Sequence, residues 1–237
     1  MIRLHQLTKT YGTLKVLKAI DLKIDSGKVT AIVGPNGAGK TTIIKSILGL
    51  IKPNDGEIYI QDKKINGDCE YRRNIGYMAQ IARFPENLTV KNVINMIKDL
   101  RTDGHVVLDE ELIDLFNLQK EYPKQIKNLS GGNRQKVNAT IAFLFDPDIL
   151  ILDEPTASLD PVGSSILKDK IRDEKESGKT IILTSHIMAE VEELADDIVF
   201  LLEGDIYYEG SILGMITGTG EQKLERAMAR MMEGAEV

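Results

Sequence analysis

The sequence has no tryptophan, one cysteine, three histidines and no excess of positive charge. Each shortage removes a class of protein. A single thiol, Cys69, excludes an internal disulfide and agrees with a reducing compartment. It is read as a spectator, because isolated thiols are mostly inert. His5, His105 and His186 show no metal-ligand spacing among themselves. The formal net charge is −6, so the basic footprint of a nucleic-acid binder is missing. No run approaches the ~18 apolar residues that a membrane span needs. Residues 1–10 lack the basic start and long apolar stretch of a signal peptide, so no leader is expected there. Repeats and low-complexity tracts are also missing. A chain of this kind that works at a membrane relies on another chain for the span.

What is present suits one compact domain of 237 residues with 42% hydrophobic content, 1–237 throughout. Ile2, Leu4 and Leu7 lie close to alternation, and Leu22 and Ile24 alternate with charged neighbours, as in a sheet with one wet face. Val29–Val33 is a short apolar run stopped by Gly34, as expected of a strand buried on both faces. Residues 39–50 carry Ile43, Ile44, Ile47 and Leu48 on one helical side. A turn at residues 53–56 leads to a short strand at 57–60. From Leu88 to about Leu144 the periodicity is helical, with stripes at Val90, Val93, Ile94, Ile97 and at Leu108, Leu112, Leu115, Phe116. Strands return at 149–152, 180–184 and 198–202. Helices are expected between them, over 161–177 and 187–195, the first opened by Pro161 and closed by Gly178. Alternating strand and helix predicts a mostly parallel sheet. The expected class is α/β, with a helical lobe at about 86–145 and a C-terminal surface helix within 221–233.

Gly34-Pro35-Asn36-Gly37-Ala38-Gly39-Lys40-Thr41 matches the phosphate-loop pattern G-x-x-x-x-G-K-[ST]. Glycines let the backbone turn its N–H groups around an anion, and the helix that follows aims its positive end at the same place. Lys40 supplies a point charge for β- and γ-phosphates, and Thr41 a hydroxyl for Mg²⁺. A strand before and a helix after argue against a mere flexible turn. This motif alone leaves kinase, GTPase and transport ATPase open.

Ile149-Leu150-Ile151-Leu152-Asp153-Glu154 is an apolar strand ending in two carboxylates. A strand end of this kind places them at the carboxyl edge of a parallel sheet. Asp153 suits Mg²⁺, and Glu154 suits the general base for a water. The second acid favours hydrolysis over transfer to a hydroxyl. A solvated acid pair is the alternative for this motif taken alone.

Leu129-Ser130-Gly131-Gly132-Asn133-Arg134-Gln135 resembles the signature motif of ABC ATPases, commonest as LSGGQ. Ser130 reads as a helix N-cap, and Gly131 and Gly132 bare the N–H groups of the first turn. One chain does not need two phosphate cradles for one nucleotide. That is the reason to expect a head-to-tail dimer holding two ATP molecules between its copies.

The resemblance runs from residue 2 to about 212, with seven motifs in the family's order. It implies a P-loop NTPase core with an antiparallel β-subdomain and an inserted helical subdomain. It implies that Tyr11 stacks on adenine, and that the loop residues Gly34 to Thr41, with Thr42, contact the nucleotide. Gln80 resembles the glutamine that touches Mg²⁺ and relays the nucleotide state to a membrane partner. Asp160, in Ser158-Leu159-Asp160, resembles the loop that crosses the dimer interface. His186 resembles the histidine that contacts the γ-phosphate and orders the catalytic water. Mg²⁺ would then be held by Thr41, Gln80 and Asp153. Position 133 is Asn where the family mostly has Gln, which shortens the reach of that amide. The implied protein is an ATPase using ATP and Mg²⁺. Its expected partners are a second copy and a separate integral membrane permease, with no nucleic acid, at the cytoplasmic face of the cell membrane. The run LSGGNRQK and the short build resemble export-type subunits, including the branch that moves copper-related cargo for nitrous oxide reductase maturation. Met215, Met228, Met231 and Met232 are read as packing residues rather than a copper site. Rival readings are a non-transport ABC ATPase and a P-loop binding module without hydrolysis. The first usually carries tandem domains or a coiled-coil insertion, absent from this sequence. The second would not need Asp153, Glu154 and His186.

Overall fold

The computed structural model describes residues 1–67, 69–101 and 108–235. His105 lies outside them. In chain order the strands are β1 (Ile2–Tyr11), β2 (Leu14–Ile24), β3 (Val29–Val33), β4 (Asp55–Ile60), β5 (Lys63–Lys64), β6 (Ile75–Met78), β7 (Ile149–Asp153), β8 (Thr180–Thr184), β9 (Asp197–Leu202) and β10 (Asp205–Ser211). The helices are α1 (Lys40–Ile47), α2 (Val90–Asp99), α3 (Glu111–Leu115), α4 (Gly131–Phe143), α5 (Pro161–Glu176), α6 (Met188–Leu194), α7 (Ile212–Thr219) and α8 (Leu224–Ala235). They gather into two compact units, Met1–Arg72 with Thr180–Val237, and Arg73–Lys179. Among the described residues, no helix is long and apolar enough to cross a membrane.

In the first unit, β1 pairs antiparallel with β2 and with β4, and β5 extends that sheet. Its inner residues Ile2, Leu4, Leu7, Leu17, Leu22 and Ile24 are buried, while charged neighbours face water, as alternation predicts. Register shifts between Leu4 and Thr10 bend the β1–β2 ribbon. A second set of strands is built on β3, which runs parallel to both β8 and β9. All five residues of β3 and of β8 are buried, the pattern of strands covered on both faces. In the second unit, β6 and β7 pair in parallel, Ile75 beside Ile149 through Met78 beside Leu152. The α/β class, the parallel strands and the antiparallel sheet are those the sequence predicts.

One helical detail differs. The stripe at Leu108, Leu112, Leu115 and Phe116 buries only Leu112 and Phe116, joined by Ile113, whereas Leu108 and Leu115 are exposed. The reason is that α3 is barely one turn long and starts after Leu108. The C-terminal helix α8 lies on the surface, as expected, and is anchored along one face: Leu224, Ala227 and Met228 are buried, and it packs against α7 and α6. Met215 of α7 is buried with them, so Met215 and Met228 pack as expected, whereas Met231 is only partly buried and Met232 is exposed.

Candidate functional site

In the first unit, the phosphate loop leaves β3 and closes on α1. Ala38 N–H donates to Pro35 O at 3.2 Å, and Ile43 N–H to Gly39 O at 3.0 Å. Gly39 is the N-cap, with φ 112°, and a Cβ there would sit 2.8 Å from the Leu17 side chain. Gly37 has φ 85° and nothing within 4 Å of where a Cβ would stand. Its glycine is therefore required by backbone conformation, and the space in front of the loop is left open. From the far side, the β9–β10 turn supports the loop through Gly204 N–H on Ala38 O, 3.2 Å. The Lys40 ammonium lies across the loop, donating to Gly34 O at 2.6 Å and to Pro35 O at 3.1 Å. Thr41 is exposed in the first turn, with Thr42 partly buried behind it. No acidic residue occupies that turn, so nothing on the helix opposes an anion at its positive end. An open cradle of N–H groups with a lysine laid over it fits the phosphates of ATP.

Tyr11 closes β1, 46% exposed as a residue, with Lys9 Nζ 5.1 Å from the ring centre. His186 follows β8 by two residues and is exposed. The turn beneath it is held by Ser185 Oγ, which accepts from Ile187 N–H at 3.0 Å.

The second unit gathers the remaining residues around α4. Its Ser130 is the N-cap and accepts from Asn133 N–H at 3.2 Å. Gly131 and Gly132 lie against the Ser158 turn; a Cβ on Gly132 would come within 2.8 Å of Ser158 O. The next residues of that turn lead to Asp160, which caps α5 by accepting from Gly163 N–H at 2.7 Å. Lys136 of α4 reaches Asp160 at 2.8 Å. Hydrogen bonding from Lys136 and from Gly163 N–H holds the Asp160 carboxyl below the usual carboxylate range. The signature helix and the Ser158–Asp160 turn thus form one packed element.

β7 delivers Asp153 almost wholly buried at its carboxyl end. Glu154 follows with φ 52°, a left-handed conformation that a β-carbon disfavours. Tyr77, on neighbouring β6, feels the same carboxylate: burial, then Asp153, pushes its hydroxyl up to about 12. Gln80 follows β6 and is exposed. Thr41 and Asp153 are hard oxygen donors of the kind Mg²⁺ takes. No group of three His, Cys, Asp or Glu side chains placed to hold a metal ion is found among the described residues. A magnesium nucleotide site needs none, since it uses one or two carboxylates with substrate phosphates.

Two buried amides of α4, Gln135 and Asn138, bind the backbone beside Glu154 and Gln80, and sequence reasoning passed over them. The available signal was two uncharged polar side chains a helical turn apart on a helix with little amphipathic character. Lys170 is a further omission: its buried ammonium meets Asp109, Glu111 and Glu174.

The sequence profile of the ABC transporter family matches residues 17–157. The chain is 34% identical over 214 residues to a lantibiotic transport ATP-binding protein of Streptococcus pyogenes, covering 88% of this chain and 90% of the relative. Among solved structures it is similar to an ATP-binding subunit of an ABC transporter, with TM-score 0.89 and 27% identity over 98% of this chain and 99% of the other. It is also similar to a dimeric ATP-binding cassette in a post-hydrolysis state with ADP and phosphate, with TM-score 0.80 and 27% identity over 89% and 98% of the two chains.

Proposed function

The chain belongs to the ABC transporter family as an ATP-binding, ATP-hydrolysing subunit, and on that premise we propose how its residues divide the work. Two copies close head to tail on two ATP molecules and drive a separate integral membrane permease, from the cytoplasmic face of the membrane. Gly34 to Thr42 wrap the phosphates, Lys40 bridges β and γ, and Tyr11 stacks on adenine. Ser130, Gly131, Gly132 and Asn133 cap the γ-phosphate held by the opposite copy. Asp160 crosses the interface between the copies.

Glu154 takes the proton of the attacking water, and His186 holds that water and the γ-phosphate in line. Mg²⁺, held by Thr41, Asp153 and Gln80, would neutralise charge on the β- and γ-phosphate oxygens. Once the γ-phosphate is cleaved, the anion shared by the loop of one copy and the capped helix of the other is gone, and the dimer opens. Gln80 and the segment to Thr89 pass that change to the permease.

The observation that carries this reading is the capped N-terminus of α4. Its two glycines occupy the first turn, where N–H groups have no partner within the helix, and Gly132 is pressed against the Ser158 turn. This is a second anion cradle in a chain that already holds one. The test is Glu154→Gln. It is expected to bind ATP, to stay dimeric, and to lose roughly 10²–10³-fold in turnover. Rapid turnover by the variant removes Glu154 from the role of base. A tagged chain recovered from gently solubilised membranes should bring an integral membrane protein with it. Recovery with ribosomes or chromosomal proteins alone refutes the transport role and leaves the ATPase site standing.

A further inference from the structure

The buried face of α4 carries two amides whose four N–H donors all meet an oxygen. Asn138 Nδ2 donates to Ala79 O at 2.7 Å and to Gln135 Oε1 at 3.3 Å. Gln135 Nε2 donates to Glu154 O at 3.4 Å and to Pro155 O at 3.3 Å. Both side chains are about 95% buried. Their orientation follows from the acceptors: a backbone carbonyl can face only the NH2 of an amide, never its oxygen.

The two ends of this chain of bonds are the two places where the reaction needs precision. Ala79 is the residue before Gln80. Glu154 sits in the left-handed region at φ 52°, a conformation costing on the order of 1–3 kcal/mol that persists only when its surroundings impose it. Gln135 helps to impose it by holding the carbonyls of Glu154 and Pro155. Asn138 then ties Gln135 to the backbone that presents Gln80. The span from Ala79 to Glu154 is bridged by side chains one helical turn apart, on the helix whose N-terminus is the signature motif.

We propose that Asn138 is a positioning residue for ATP hydrolysis, joining the Gln80 backbone to the Glu154 backbone through Gln135. The proposal rests on the roles given above to Glu154 and Gln80. Because the connection is short and buried, it fixes both backbones relative to α4. Asn138 touches neither substrate nor metal. Its effect is therefore on kcat rather than on ATP affinity.

The decisive comparison is Asn138→Ala, Asn138→Asp and Gln135→Ala in the full chain. Each is assayed for ATPase kcat and KM, with thermal melting as a control for folding. Asn138→Asp replaces the donor by an oxygen facing Ala79 O, so it should be the most impaired, by at least tenfold in kcat. Asn138→Ala should lose less, and KM should stay within about threefold in both. The double variant Gln135→Ala/Asn138→Ala should be no slower than the worse single, because either break opens the same connection. Should Asn138→Asp fail to fold, Asn138→Ala carries the test. A kcat within twofold of wild type in every folded Asn138 variant overturns the proposal, as does a loss of kcat that merely tracks the loss of melting temperature. Glu154→Gln and Gln80→Ala are run alongside. If those two turn over normally, the site assignment fails; if they are impaired while Asn138 variants are not, only the positioning role fails.

Discussion

Lys170 offers a direct test of how the second unit is held together. Its ammonium lies 2.6 Å from Asp109, 2.8 Å from Glu111 and 2.8 Å from Glu174, with the side chain 7% exposed. Lys179 joins the same cluster through Glu174 and Asp146. The contacts tie α5 to the chain entering α3. Burial works against the charge on Lys170, and the three carboxylates override it, so the ammonium titrates above the ordinary lysine range. Lys170→Met strips the shared cation and leaves carboxylates behind. Removing one partner of a buried pair costs about 3–5 kcal/mol. Glu111 is half exposed and regains water, and Glu174 keeps Lys179, so a loss near about 3 kcal/mol is expected. Urea unfolding followed by circular dichroism reads it as a lower midpoint at unchanged slope, about 1 M lower if the slope is about 3 kcal/mol/M. Adding Asp109→Asn should recover part of the loss, because Asp109, 17% exposed, is the carboxylate that Lys170→Met leaves buried beside no cation. A loss below about 1 kcal/mol, with the second change merely additive, would show that the cluster does not hold α5 to α3. The sign with pH is fixed: a raised lysine stabilises below its ordinary value of about 10.4 and loses that contribution as pH climbs through the folded value.

The close approach of Gly132 to Ser158 O predicts that Gly132→Ala displaces the Ser158 turn, at a cost typical of overpacking, about 1–3 kcal/mol. ATPase should fall while the affinity of the single chain for ATP is kept, which equilibrium nucleotide binding beside steady-state turnover will show. Tyr77 is expected to remain protonated to about pH 12, where an ordinary tyrosine ionises near about 10. The unfolded chain ionises first, so this residue draws stability away as pH rises through that interval. Absorbance titration of Tyr77→Phe against wild type should remove the latest-ionising component; loss of an early one would contradict the burial beside Asp153.

Some of this protein was legible residue by residue. The phosphate loop, the signature motif and the paired carboxylates are runs of consecutive residues. Their chemistry depends on local backbone geometry, so Gly37 at φ 85° and Ser130 as an N-cap follow from neighbours alone. The strands β3, β7 and β8 were equally plain, because strands buried on both faces are short unbroken apolar runs. α7 was not, since Gly214, Gly218 and its threonines are poor helix formers and tertiary packing holds it. β10 was missed because its side chains alternate only weakly, and its place is fixed by pairing with β9.

The roles within α4 depended on the fold altogether. Gln135 and Asn138 read as ordinary polar residues of a helix; the weak amphipathic character of α4 sets them apart from a solvated face but names no acceptor for them. Their meaning comes from Ala79, 59 residues away, and from the turn at Glu154. Lys170 likewise waited for Asp109 and Glu111, about sixty residues upstream, to be folded against it. A buried donor must find its acceptor wherever the fold has put one. Motifs in this chain were therefore decided by sequence, because they act through adjacent backbone groups. The groups that hold those motifs in position were decided by tertiary structure, because hydrogen bonds and ion pairs act across space with no regard for order along the chain.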